Sequence, residues 1–168
     1  IERIQVCEAV SWEPLDEIEE AWIHPREFYM TSEEKFGQAV EDIETELDQR
    51  IDYYHSKGME MEAHRIEQRT KFDLEMLNEV GSCKGVENYS RHFDGREKNE
   101  RAYCLLDFFS TCAEQFHGDA EKYLVIMDES HVTLPQVGGM YGGDYSRKKN
   151  LIDHGFRLPS AYDNRPLR

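Results

Sequence analysis

Apolar residues recur along the chain in two regular patterns and one unbroken run, and these lay out its elements. Phe36, Val40, Ile43, Leu47, Ile51 and Tyr54 follow at spacings of four, three, four, four and three, the period of a helix with one buried face. Thr31-Ser32-Glu33-Glu34 precedes them. The Thr31 hydroxyl is placed to accept from the Glu34 N–H while Glu34 reaches back, and both acids suit the positive end of a helix dipole. Gly58 fits the helix stop. The spacing resumes through Met59, Ala63, Ile66, Thr70, Leu74 and Leu77 until Gly81. Two long helices meeting at Gly58 predict an antiparallel hairpin over residues 31–81.

Upstream, Ile1, Ile4 and Val6 alternate with polar residues, which predicts an edge strand ended by Glu13-Pro14. Ala21–His24, closed by Pro25, and Phe28–Met30 predict further short pairing. Residues 1–30 read as the end of a β-rich module. Downstream, Tyr123-Leu124-Val125-Ile126-Met127 is an unbroken apolar run, which predicts a strand buried on both faces of a parallel sheet, hence an α/β fold. Ser110–Lys122, polar and containing His117-Gly118, predicts a surface loop. Ser146–Asp153 predicts a short basic amphipathic helix, and Arg157–Arg168 a loop-rich arm.

Charge narrows the function classes. Residues 1–62 carry 18 acids and 5 bases, residues 63–101 carry 8 of each, and residues 102–168 carry 9 acids and 7 bases, within a net −15. A protein that coats DNA non-specifically shows a basic excess, so any nucleic-acid contact belongs to the neutral or locally basic parts. No apolar run approaches the roughly 20 residues that cross a bilayer. Cys7, Cys83, Cys104 and Cys112 form no Cys-x-x-Cys pair, which predicts reduced thiols in a cytoplasmic protein rather than a zinc site or a disulfide framework. Glu60, His64 and Glu67 share a helix face, but the Glu-x-x-His pair of a carboxylate metal bundle is not repeated, so ordinary charge pairing is expected there. His92 and His117 have no ligand partners at metal spacing and read as surface or capping residues.

Asp128-Glu129 follows the apolar run directly. Adjacent acids at a strand's carboxyl end are how nucleoside-triphosphate motors offer one carboxylate to Mg²⁺ and a second to the attacking water. By residue type alone, the pair reads more readily as a solvated turn after a buried strand. The complementary phosphate-binding loop, Gly-x-x-x-x-Gly-Lys-Ser/Thr, occurs nowhere in the 168 residues. The chain has no initiator Met, leader or targeting signal and reads as a piece of a longer protein.

The surrounding motifs are more specific. Asp128-Glu129-Ser130-His131-Val132-Thr133-Leu134-Pro135-Gln136, Gly139-Met140-Tyr141-x-Gly143-Asp144, Ser146-Arg147-Lys148 and Gly155-Phe156-Arg157-Leu158-Pro159-Ser160-Ala161 with Asp163-Asn164-Arg165-Pro166-Leu167 resemble the UvrB family. This is the helicase-like subunit of the bacterial nucleotide-excision-repair nuclease. Glu67–Met76, Gly85–His92 and Leu105-Leu106-Asp107-Phe108-Phe109 resemble it too. The resemblance is firm from Thr31 to Arg168 and loose over residues 1–30. It implies that residues 31–168 are part of a first, RecA-like P-loop motor domain carrying the helical hairpin. Residues 1–30 would then be the end of the module that docks UvrA.

The resemblance also implies roles. Asp128 would hold Mg²⁺ through water, Glu129 would act on the attacking water, and Ser130 and His131 would couple nucleotide state to the DNA side. Arg69 and Glu87 would seat a DNA strand, with Tyr89 and Arg91 as weaker candidates. The bland alternative is that Asn88, Tyr89 and Arg91 merely fix the turn between helix and core. ATP and Mg²⁺ are the implied cofactors of the complete protein. UvrA, UvrC and damaged double-stranded DNA are the implied partners, and the SOS response to DNA damage the setting. With half the nucleotide site outside these residues, the chain alone is expected neither to hydrolyse ATP nor to bind DNA tightly. The competing class is a non-enzymatic, acidic helical-hairpin module that binds a partner through its Phe36–Leu77 faces.

Overall fold

In a computed structural model, residues 3–8, 11–21 and 32–167 are described. Two strands, β1 (Ile4–Cys7) and β2 (Pro14–Ile18), pair antiparallel with Ile4 opposite Ile18 and an irregularity between Val6 and Cys7. β1 is the predicted edge strand, but its partner starts at Pro14, where a break was expected. Proline lacks only a donor and is tolerated as the first residue of a strand. The pairing expected at Ala21–His24 and Phe28–Met30 lies, from Trp22 on, outside the described residues, as does Thr31.

The predicted hairpin is the core of the fold. Helix α1 runs from Glu33 to Ser56 and α2 from Glu60 to Val80. The cap of α1 is Ser32, whose hydroxyl accepts from the Lys35 N–H at 3.4 Å, one residue after the position expected. Gly58 turns the chain at φ 70, and Gly81 closes α2 in the left-handed region, its N–H donating to the Leu77 carbonyl. The expected faces meet: Ile43, Leu47 and Tyr54 of α1 are buried with Ala63, Ile66, Thr70, Leu74 and Leu77 of α2, while Phe36, Val40 and Ile51 pack at the edge. Each buried Leu or Ile contributes about 1.5–3 kcal/mol by leaving water. Phe93, Tyr89 and Leu158, all from beyond α2, complete the same cluster.

After α2 come a 3-10 turn (Val86–Tyr89), the short helix α3 (Ser90–Asp94), helix α4 (Leu105–His117) and helix α5 (Ser130–Asp153). A 3-10 turn over Pro159–Asp163 follows in the C-terminal arm. The loop expected over Ser110–Lys122 is largely helix α4. Asp107, in its first turn, accepts from the Cys104 N–H at 2.7 Å and from Arg101 at two distances of 2.6 Å. The Arg101 guanidinium holds the Asp107 carboxyl well below the usual range. Gly118 ends the helix in the left-handed region. Polar composition there suggested a loop, but a capped first turn and a glycine stop are sufficient to set a helix.

The fold differs most from expectation at Tyr123–Met127. These residues have no strand partner, and Leu124 and Ile126 are 83% and 85% exposed. A run this apolar becomes a buried strand only when neighbours satisfy its backbone groups and cover both faces. Among the described residues no segment does so. The expected α/β sheet is therefore not formed here: the described structure is mostly helical, with one two-stranded antiparallel sheet. Helix α5 likewise starts earlier than the predicted Ser146–Asp153 and takes in Pro135 and four glycines. Only its last part packs, through buried Lys148 and Ile152.

Candidate nucleic-acid interface

The candidate site grows from the end of α2. Arg69 and Asp73 stand one turn apart on that helix, and the Arg69 Nε donates to Asp73 Oδ2 at 3.0 Å. The same guanidinium donates from Nη2 to the Lys84 carbonyl at 2.9 Å, tying α2 to the loop beyond Gly81. Gly85 then turns the chain at φ 93, and a side chain there would come within 3.1 Å of Asn88 and 3.4 Å of Arg157. Cys83 is buried beneath, and burial, followed by the Asp73 charge, pushes its thiol up to about 12. The charges of Arg69, Glu87 and Arg157 also act on that thiol.

Above it lies a groove of about 400 Å³ walled by Glu87, Tyr103, Arg147, Lys148, Arg157 and Arg165, among others. Lys148 is buried and held by Asp144 at 2.8 Å and by the Asn164 carbonyl. Arg147 also meets Asp144, at 3.1 Å, but is mostly exposed. Burial alone would raise Asp144; its hydrogen bonds to Lys148 and Arg147 outweigh that and keep its carboxyl low. Among the described residues Arg157 donates to the Phe156 carbonyl next to it, at 3.1 Å, and Arg165 to the Asn99 carbonyl at 3.0 Å. No carboxylate among the described residues neutralises either, so both keep charge for an anion. Guanidinium forks suit phosphate oxygens. Sequence reading missed Arg147, Arg157 and Arg165 as site residues. All three sit within motifs already singled out, but only the turn at Gly85 and the path of the C-terminal arm bring them beside Glu87.

Two weaker candidates turn inward. Tyr89 is 3% exposed and its hydroxyl donates to Asp73 Oδ2 at 2.9 Å. Burial, then the Asp73 charge, pushes that hydroxyl's pKa far up. Arg91 donates to Asp163 Oδ2 at 2.8 Å and lies 3.6 Å from Glu46. Both have internal partners, as Arg69 does. His92, expected at the surface, is also drawn inside: its Nε2 is 2.9 Å from Glu46 Oε2. Glu46 Oε1 accepts in addition from the Ser160 N–H at 2.8 Å. This polar clamp joins α1, α3 and the C-terminal arm and holds one wall against another.

The clamp predicts a pH dependence. Burial raises the Glu46 carboxyl, but bonds to His92 and Ser160 and the charges of His92 and Arg91 outweigh it, leaving it below the ordinary 4.5. A carboxyl lowered by folding contributes stability that is complete above its unfolded value and is lost as pH falls through the folded value. Denaturant unfolding should therefore show stability falling away below about pH 4.5. Glu46→Gln should flatten that fall.

Asp128 and Glu129 occupy a separate, open region. Glu129 takes the left-handed conformation at φ 47 just before α5, its N–H donating to Asp128 Oδ1 at 2.8 Å. His131 Nδ1 lies 3.3 Å from Glu129, both largely exposed, and Ser130 opens the helix. Among the described residues no group of three or more His, Cys, Asp or Glu is placed to hold a metal ion.

Fold and site together define a helical domain built on an antiparallel hairpin, with a cation-lined groove between the end of the hairpin and the C-terminal arm. Residues 34–95 match the family model described as the UvrB third helical domain. Over 168 residues the chain is 48% identical to UvrABC system protein B of Natranaerobius thermophilus and 51% identical to that of Chlorobium phaeobacteroides. It is 45% identical to that of Thermosipho africanus. The whole chain is covered in each case, but only 23–24% of the relatives. The chain belongs to the UvrB family and spans about a quarter of the length of the curated relatives it matches.

Proposed function

We propose that this chain works in nucleotide-excision repair as one segment of a UvrB subunit that verifies damaged DNA with ATP and loads the incising nuclease. The observation that carries this reading is 45–51% identity maintained over the entire chain to proteins named UvrABC system protein B. The groove adds a local reason. In a strongly acidic chain it gathers Arg157 and Arg165, which no carboxylate among the described residues neutralises, with the Asp144-paired Arg147 and Glu87.

In this reading UvrA and UvrC are the partners, damaged duplex DNA is the substrate, and the cytoplasm is the compartment. Residues 1–30 end the module that meets UvrA. In the complete protein, Tyr123–Met127 joins a RecA-like parallel sheet whose other strands come from the remaining three quarters of the polypeptide. ATP and Mg²⁺ belong to that assembled protein, and Asp128, Glu129, Ser130 and His131 are this chain's contribution to it. Arg69 and Glu87 face the DNA strand. Because the phosphate-binding pattern Gly-x-x-x-x-Gly-Lys-Ser/Thr occurs nowhere in these 168 residues, this chain alone is expected to show no measurable ATP hydrolysis.

The test is survival after ultraviolet irradiation of bacteria that lack their own UvrB and carry the full-length protein. Asp128→Asn or Glu129→Gln should abolish the restored survival at unchanged protein level. A purely interacting hairpin module would leave it intact, and that result would remove the motor reading.

A further inference from the structure

Arg69 is held from behind more fully than a surface guanidinium requires. Asp73, one turn on along α2, is 1% exposed. Its carboxylate meets one edge of the guanidinium: Nε donates to Oδ2 at 3.0 Å, and Nη2 lies 3.0 Å from Oδ1. Nη2 also donates to the Lys84 carbonyl at 2.9 Å. The remaining nitrogen, Nη1, has no acceptor among the described residues, and the Arg69 side chain is 34% exposed. One edge of the fork is taken by the protein, and the other is left for an outside acceptor.

A third residue fixes the carboxylate itself. Tyr89, at the end of the 3-10 turn beyond Gly85, donates its hydroxyl to the same Asp73 Oδ2 at 2.9 Å. Burial raises that hydroxyl's pKa, so it stays protonated and remains a donor. An i,i+4 ion pair on a helix surface needs neither a buried acid nor a third partner. Burying a carboxylate costs stability unless it is paired and hydrogen-bonded, and here both conditions are met by Arg69 and Tyr89. The gain is in order. A loose arginine loses rotamer freedom when it grips an anion; one already fixed does not, and the difference appears as affinity.

We propose that Asp73 and Tyr89 are positioning residues for Arg69: through the buried carboxylate they fix the guanidinium with Nη1 free for a phosphate of the bound DNA strand, without touching the DNA themselves. The inference rests on the reading above that Arg69 faces the DNA strand, and adds to it the two residues that act through that arginine.

The test is a double-mutant cycle on the full-length protein, read by fluorescence anisotropy with a labelled oligothymidylate. At about 0.15 M salt, charges more than about 8 Å apart are largely screened. Arg69→Ala should weaken binding roughly tenfold. Asp73→Asn and Tyr89→Phe should each weaken it about three- to tenfold, the range that ordering one long side chain accounts for. Tyr89→Phe does so with charge and ring packing unchanged. Neither should weaken binding further once Arg69 is alanine. If Arg69→Ala weakens binding but the other two do not, or weaken it equally in both backgrounds, the positioning role is wrong and the DNA reading of Arg69 stands. Tighter binding by Asp73→Asn with Arg69 present would mean that the acid restrains the arginine, and would overturn the proposal. If Arg69→Ala leaves affinity unchanged, the DNA reading of Arg69 fails and the proposal with it.

Discussion

Asp163→Ala is expected to lower the stability of the domain by about 3–5 kcal/mol, the cost of leaving a buried ion without its partner. Asp163 is almost fully buried, and its carboxylate accepts from Arg91 at 2.8 Å and from the Asn99 N–H at 2.9 Å. Its carbonyl accepts from Arg96 at 3.1 Å and from the Ala102 N–H at 3.2 Å. Arg96 in turn donates to Ser90 Oγ at 2.8 Å and to the Glu100 carbonyl at 2.9 Å. One residue of the C-terminal arm therefore orders α3 and the segment leading to α4. Removing its carboxylate leaves Arg91 charged and buried beside Glu46 only. Thermal unfolding should show a drop of about 6–20 °C. Because the two groups act on each other, Arg91→Ala combined with Asp163→Ala should cost less than the sum of the single changes. Strict additivity would mean that the pair is not coupled as described.

Gly155→Ala is expected to cost about 3 kcal/mol for a different reason. Gly155 has φ 72, a region that disfavours a side chain by roughly 1–2 kcal/mol. It also lies against the backbone of α2: an added methyl carbon would stand 2.9 Å from the Glu62 Cα and 3.0 Å from its carbonyl carbon. Backbone cannot swing aside as a side chain can, so overpacking adds a further 1–3 kcal/mol or so. This close crossing lets Arg65 donate to the His154 carbonyl and stack on Phe156 at 4.5 Å. On the other side of the same junction, Tyr54 and Arg50 reach the Ile152 carbonyl. Equilibrium unfolding of the alanine variant measures the cost. A loss below about 0.5 kcal/mol would show that the end of α5 does not dock on α2 at this point.

These two sites mark where sequence reading succeeds and where it stops. The hairpin was legible because its information is local: a 3.6-residue period, a polar cap and glycines at the two stops place α1 and α2 within a residue or two. The clamp was not, because Glu46, Arg91, His92, Ser160 and Asp163 meet across up to 114 residues of chain, and no spacing rule reaches that far. For the same reason the sequence alone places His92 at the surface. Gly155 was visible as a letter of a motif, but its purpose, a close backbone crossing, needed the partner helix.

The strand at Tyr123–Met127 fails in the opposite sense. Its apolar run is plain in the sequence, yet a strand is a relation between segments, and the described residues offer it no neighbour. Glu87, implied by resemblance, and Arg157, placed by the fold, line the same groove.

The measurement that bears most directly on the account is repair by a chimera. This chain replaces the matching quarter of a UvrABC system protein B, and the chimera is supplied to bacteria lacking their own UvrB. Restored survival after ultraviolet irradiation, lost again on Glu129→Gln, is the predicted result. A chimera that folds and accumulates normally but restores no survival would contradict it.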